Sequence, residues 1–272
     1  LGLDSRRQWH TLMHYRSTLF GGRESDVDSR AFFLAENGKT NPRAELQATL
    51  AAFFEPARPS APGGKYDPAR EHPQCRFRAR YTWLKQALDF DPARLPTHDC
   101  EDFKVWKQTL RAESATLIFA SSYINNPASM FGHTMLRLDR GRDAGSLLTS
   151  YVVSFAATPW TNNPVLYSVL GLTGGFDANF SVLPFYLKVR EYTAMENRDL
   201  WEFRLNLADV ELQRLIEHLW ELQAYSIDYY YLDENCSFYL LSLLEAARPS
   251  LRLTEKFSSF VTPVDTLREV LR

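Results

Sequence analysis

Nowhere in the 272 residues is there a run of the roughly 18 to 20 uninterrupted apolar residues that a membrane-spanning helix needs. The longest apolar stretches, 147–157 and 238–244, are short and broken by Ser or Thr, so the chain by itself is not expected to cross a bilayer. A surplus of one charge is missing too. Lys plus Arg number 31 against 33 Asp plus Glu, a formal net charge of −2, which leaves no electrostatic footprint for nucleic acid. Internal repeats and low-complexity tracts are absent. The chain opens on Leu1 with no basic and apolar leader, as expected of a mature chain after signal-peptide removal or of a trimmed one. Cysteine is scarce, with three residues, and no pair spacing or nearby His pair resembles a zinc knuckle, so neither metal nor cofactor is expected.

What is present is ordinary globular material with a rich aromatic supply: 45% hydrophobic, 24% charged and 14% aromatic residues. Cys75 and Cys100 sit in polar surroundings on either side of an expected helix, whereas Cys236 opens an apolar one. The economical reading is a Cys75–Cys100 disulfide plus one free thiol, in an oxidising compartment. Three unrelated reduced cysteines are the alternative.

The first 95 residues read as a helical region and 96–272 as a second unit. Trp9, Leu12, Met13 and Arg16–Leu19 follow a helical period, Asn41-Pro42 starts a helix running to Phe54, and Phe77–Leu88 forms another. A Pro- and Gly-rich break occupies 55–73. Beyond residue 112 the pattern turns to short β-branched runs: Thr116–Ala120, Thr134–Asp139 and Leu147–Phe155, the last two a hairpin around Gly141–Gly145. Strands are also expected at Leu183–Tyr192 and Leu200–Leu207. Helices follow at Ala208–Ala224, Cys236–Ala247 and from Thr262-Pro263 onward. The class is α+β, with an antiparallel sheet between helical segments.

Chemistry points first to Cys236. At the first turn of a helix, unpaired backbone N–H groups and the helix dipole favour a thiolate. A buried structural cysteine is the competing reading. Among the histidines, His72 and His98 lie in Pro-rich segments, His218 is expected on a partly exposed helix face, and His10 and His14 lack further ligands. His133 differs. It follows Asn126-Pro127-Ala128-Ser129-Met130-Phe131-Gly132 and begins a strand, and a strand-borne His with a helix-borne Cys is the usual papain-like pairing.

The run from Asn126 to Thr134 and the run Glu234-Asn235-Cys236-Ser237 resemble the two signature motifs of the Lnb N-terminal periplasmic domain family. The likeness extends to Trp9, His14-Tyr15, Phe32-Phe33-Leu34-Ala35, Glu45-Leu46, Cys75 and Ala79-Arg80-Tyr81 with Trp83-Leu84. It implies a circularly permuted papain-like fold in which His precedes Cys, a periplasmic or cell-envelope location, and lipoprotein N-acyltransferase chemistry. Carried over, Cys236 is the nucleophile and His133 its general base. Of Ser150, Tyr151 and Ser154 on the neighbouring strand, Ser154 is chosen to orient the imidazole. Asn235 serves as an N-cap at least as readily as a catalytic group, and Asn126 and Ser129 shape the approach to His133.

Residues 158–186 form an apolar, Gly-punctuated excursion, expected either to line an acyl site or rest on a membrane surface, or else to cover the core. The leading function is an envelope thiol acyltransferase whose partner is a lipid or lipoprotein ester. A cysteine peptidase or amidase acting on cell-wall peptide shares the same pair of residues, and a non-catalytic binding module is the third reading.

Overall fold

The structure, a computed structural model, describes residues 2–18, 20–56, 67–123, 131–141, 147–161, 163–257 and 260–271. Helix α1 (Arg7–Leu12) ends where His14 takes a left-handed φ of 54°, and the Ser25 hydroxyl donates to the freed Met13 carbonyl. The chain then leaves as a two-stranded ribbon, β1 (Tyr15–Ser17) and β2 (Arg23–Ser25). Arg16 and Ser17 are therefore strand, correcting the expected helix over Arg16–Leu19, and Leu19 lies outside the described residues. Helix α2 (Pro42–Ala52) starts as its Asn-Pro signal requires, with the Asn41 side chain accepting the Ala44 N–H. The short α3 (Pro73–Arg76) leads into α4 (Arg78–Leu88), and α5 (Glu101–Leu110) ends at Arg111, again left-handed.

Strands β3 (Ala112–Ala120), β4 (His133–Arg140) and β5 (Tyr151–Ala157) follow. Next come α6 (Pro164–Thr173), β6 (Asp177–Pro184), α7 (Phe185–Val189) and a π-helical turn over Arg190–Met195. The chain continues through β7 (Leu200–Arg204), α8 (Asp209–Leu222), β8 (Ser226–Asp228), α9 (Cys236–Ala247) and α10 (Pro263–Val270). The main sheet is antiparallel throughout, in the order β7-β3-β4-β5-β6-β8. The α+β class holds.

Several boundaries differ from the expected ones, among them β3, which already starts at Ala112, and β7, which ends at Arg204 rather than Leu207. Leu147–Thr149 is a 3-10 turn, so that strand starts at Tyr151. The strand expected over Leu183–Tyr192 stops at Pro184, after which the Phe185 N–H turns to the Ser150 carbonyl and Phe185 buries itself beneath the sheet. The Gly141–Gly145 hairpin lies mostly outside the described residues.

Alternation along the strands gives the sheet two dissimilar faces. Leu136, Leu138, Val153 and Phe155 face the large core shared with α8 and α9. Ile118, Ala120, Met135 and Val152 face Phe185 of α7 and Tyr192 of the π turn. The N-terminal helices enter the first of these cores. Trp9, Phe32, Phe53, Phe77 and Leu84 pack in one cluster with Leu215, Leu219, Trp220 and Tyr239, and a β-bridge joins Val27 to Ile227.

Cys75 and Cys100 are bonded, their Cα atoms 5.1 Å apart and 25 residues apart in sequence. The bond clips α3 to the start of α5, and the Trp220 indole donates to the Cys75 carbonyl at 2.9 Å. Replacing both cysteines by Ser is expected to lower the unfolding free energy by about 3.5 kcal/mol through loop-closure entropy. Urea denaturation of the variant reads this directly, and a midpoint equal to the parent's would contradict it.

Candidate active site

Asn235 makes the start of α9. Its side-chain oxygen accepts the Ser237 and Phe238 N–H groups at 3.1 and 3.3 Å, and its amide donates to the Tyr231 and Val261 carbonyls at 3.1 and 2.6 Å. All of its hydrogen-bonding capacity is spent on holding the helix terminus. Asn235 is thus an N-cap, the structural alternative the sequence offered.

Cys236 is the first residue of α9, the one free cysteine, and buried. The backbone N–H groups of Thr134 and Ser237 and the hydroxyls of Tyr229 and Thr134 favour its ionised form. The Thr134 hydroxyl, buried and without an ordinary hydrogen bond, lies beside it. Burial outweighs these donors and pushes the thiol above its usual range, so the resting group is S–H rather than the thiolate expected from the helix terminus alone.

His133 opens β4 and is also buried. Its Nε2 lies 3.1 Å from the Ser154 hydroxyl, which brings His133 together with the residue expected to orient its ring. Tyr192 stacks on the ring at 6.0 Å, and the cations Lys188 and Arg198 stand nearby. Burial first, then those two charges, hold the imidazole neutral down to about pH 3.

Strand alternation sets the relation between the two groups. His133 leaves β4 on the Met135 face, toward α7 and Tyr192, whereas Thr134 leaves on the Leu136 face, toward α9 and the thiol. The expected direct thiol–imidazole contact is therefore not made in this resting geometry. The two lie on opposite sides of the open start of one strand. Tyr192 stacks on His133, and burial, then the Glu191 carboxylate, raises its phenol.

Asn126 and Ser129 lie outside the described residues. His218 is fully buried rather than partly exposed, its Nε2 3.1 Å from that of His14, while His72 and His98 stack at 3.7 Å. Among the described residues no group of three or more His, Cys, Asp or Glu is placed to hold a metal ion. Sequence reasoning passed over Tyr229, Thr134 and Tyr192. The run Tyr229-Tyr230-Tyr231, five to seven residues before the thiol, was the available signal for the first.

An antiparallel sheet with a histidine opening one strand, packed on a helix that starts with a buried thiol, defines a Cys- and His-bearing α+β domain. The chain belongs to the Lnb N-terminal periplasmic domain family, whose model matches residues 102–272. It is accordingly an envelope-associated protein with a periplasmic domain, which accords with the disulfide. Residues 1–87 match a separate family, a domain of unknown function (DUF7843), so the likeness noted in Trp9, Glu45 and Arg80 belongs to that domain. No curated protein and no solved structure matches the chain.

Proposed function

We propose that the protein is a cell-envelope thiol acyltransferase in which Cys236 takes an acyl chain from a lipid or lipoprotein ester and passes it to an amine. The observation that carries this reading is the cradle around the sulfur. The one free thiol opens α9, and the Thr134 and Ser237 N–H groups and the Tyr229 hydroxyl favour the charge that exists only once it is ionised. Pre-set donors of this kind favour the reactive state more than the resting one.

The thiolate adds to the ester carbonyl, the C–O bond breaks, and the leaving alkoxide takes up a proton, leaving a thioester on Cys236. The amine then adds, the C–S bond breaks, and the nitrogen sheds its extra proton as the sulfur returns. His133, neutral and so proton-accepting, is the imidazole at this end of the sheet. The reading requires proton transfer around the open start of β4, through a bridging water or a shift of the residues at 131–134. Admitting substrate and water there would relieve the burial that disfavours both charged forms. Ser154 holds the ring.

Incubation with a phospholipid, followed by intact-mass measurement, is expected to add one acyl group to Cys236 that hydroxylamine removes and an amine acceptor captures. Cys236→Ala should abolish the adduct, and His133→Asn should slow its formation by about 100-fold or more. Release of free fatty acid in place of amide would make the protein a hydrolase. Turnover undiminished in Cys236→Ala would overturn the reading.

A further inference from the structure

Between Asp143 and Asp177 the chain carries no charged residue, in a protein where charged residues make up 24% of the whole. Part of that stretch is the buried β5, but its middle is on the surface. Helix α6 is well specified: the Asn163 side chain accepts the Val165 and Leu166 N–H groups, and Gly174 closes the other end at φ 76°. Its outward residues are nonetheless apolar. Val165, Leu166, Val169 and Leu172 recur at helical spacing and are exposed, and Trp160, just before the helix, is 68% exposed.

The inner side of α6 is tied to the segment that leads to the thiol. Tyr167 packs on Tyr231 at 5.8 Å, and the Tyr231 N–H donates to the Gly171 carbonyl at 2.8 Å. A Cβ at Gly171 would meet the Tyr231 ring at 2.1 Å, so the helix and this segment approach as closely as glycine allows. Two residues upstream lies Tyr229, whose hydroxyl favours the ionised form of Cys236. An apolar surface helix thus packs against the segment that leads into the thiol-bearing helix.

We propose that α6 and Trp160 form a docking face for a phospholipid surface, with the helix lying in the interface plane. A protein partner would ordinarily find charged or Arg-bearing positions around an apolar centre. Here the residues flanking the helix along the chain, Thr158, Thr161, Asn163, Thr173 and Gly175, are uncharged groups that suit lipid headgroups, and an exposed Trp is the side chain most at home at that depth. A periplasmic domain is bounded by such surfaces. The proposal deepens the acyl-transfer reading by naming where the acyl donor is met, and its test does not depend on catalysis.

The test uses the full chain carrying Cys236→Ala, floated with phosphatidylethanolamine–phosphatidylglycerol vesicles. Binding is expected at about 0.1 M salt and equally at about 0.5 M, since no charge pair holds it. Val169→Glu and Leu172→Glu should each weaken partitioning by about tenfold or more. Leu172→Ser, with an unchanged circular dichroism melt, separates lost docking from lost folding. Brominated lipids should quench fluorescence in a way that Trp160→Phe removes. Three results would overturn the proposal: no flotation of folded protein, binding abolished by salt but indifferent to Leu172→Glu, or a lipid-free dimer that the same variants dissolve.

Discussion

Replacing Arg80 by Leu is expected to lower the unfolding free energy by about 3 to 5 kcal/mol, the cost of stranding a buried carboxylate. Arg80 is fully buried on α4. It donates to Glu45 at 3.1 Å and to the Phe32 carbonyl at 3.0 Å, and its guanidinium lies 4.1 and 4.0 Å from the centres of the Phe32 and Phe77 rings. Glu45 is equally buried and also accepts the Leu34 and Ala35 N–H groups. Burial already raises its carboxyl, with Arg80 the largest opposing influence. Without Arg80 that carboxyl rises further. Its folded-state value then exceeds the unfolded one, so the folded variant holds the extra proton and the deficit should shrink as pH falls from 7 toward 5. Adding Glu45→Gln to Arg80→Leu should recover part of the loss at pH 7, because Gln keeps an acceptor for Leu34 without the charge. Urea midpoints of the three proteins at two pH values decide it. A pH-independent deficit untouched by Glu45→Gln would mean that lost packing between the two rings, rather than stranded charge, is the cause.

His133→Asn is expected to flatten the acid limb of the stability curve. The imidazole falls from an ordinary 6.5 to about 3 in the folded protein, through burial and then Lys188 and Arg198. Its folded value is depressed, so between those limits the unfolded chain binds the proton and the folded one does not. The associated stability is present above 6.5 and is lost as pH falls toward 3, by at most about 4 to 5 kcal/mol. Asn retains a partner for the Ser154 hydroxyl and cannot titrate. Because raised carboxylates such as Glu217 and Glu234 act in the opposite sense, the quantity to follow is parent minus variant. That difference should decline by several kcal/mol between pH 7 and pH 4. A constant difference would mean that His133 is open to water in the native state.

The helices with strong punctuation were legible: Asn41-Pro42, Cys236–Ala247 and Thr262-Pro263 all start where their signals stand. Asn163-Pro164 is the same signal, yet α6 lies inside the segment 158–186, whose Gly, Asn and Pro content points to an irregular excursion. The strand–helix switch at Pro184 was hidden for a related reason. Leu183–Tyr192 alternates well enough for a strand, and only burial of Phe185 under the sheet decides for a helix. Cys236 and His133 stand out in local pattern and Ser154 only through the family resemblance, and a hydrogen bond joins His133 to Ser154. Which face each side chain takes was not readable. A one-residue difference in phase puts His133 and the Thr134 that cradles the thiol on opposite sides of β4, and that phase is set by pairing with β3.

Residues 88–101 separate the two matched families, and the Cys75–Cys100 bond ties the first of them to the far end of that stretch. Together with the Trp220–Cys75 hydrogen bond, the Val27–Ile227 bridge and the buried His14–His218 contact, it makes the boundary between families a poor place to cut the chain. Amide hydrogens in α4 and α8 should exchange with one common opening energy, as a single foldon. Separately expressed halves would each bare one side of the same core and are expected to aggregate, whereas co-refolding both under oxidising conditions should restore a covalently joined whole.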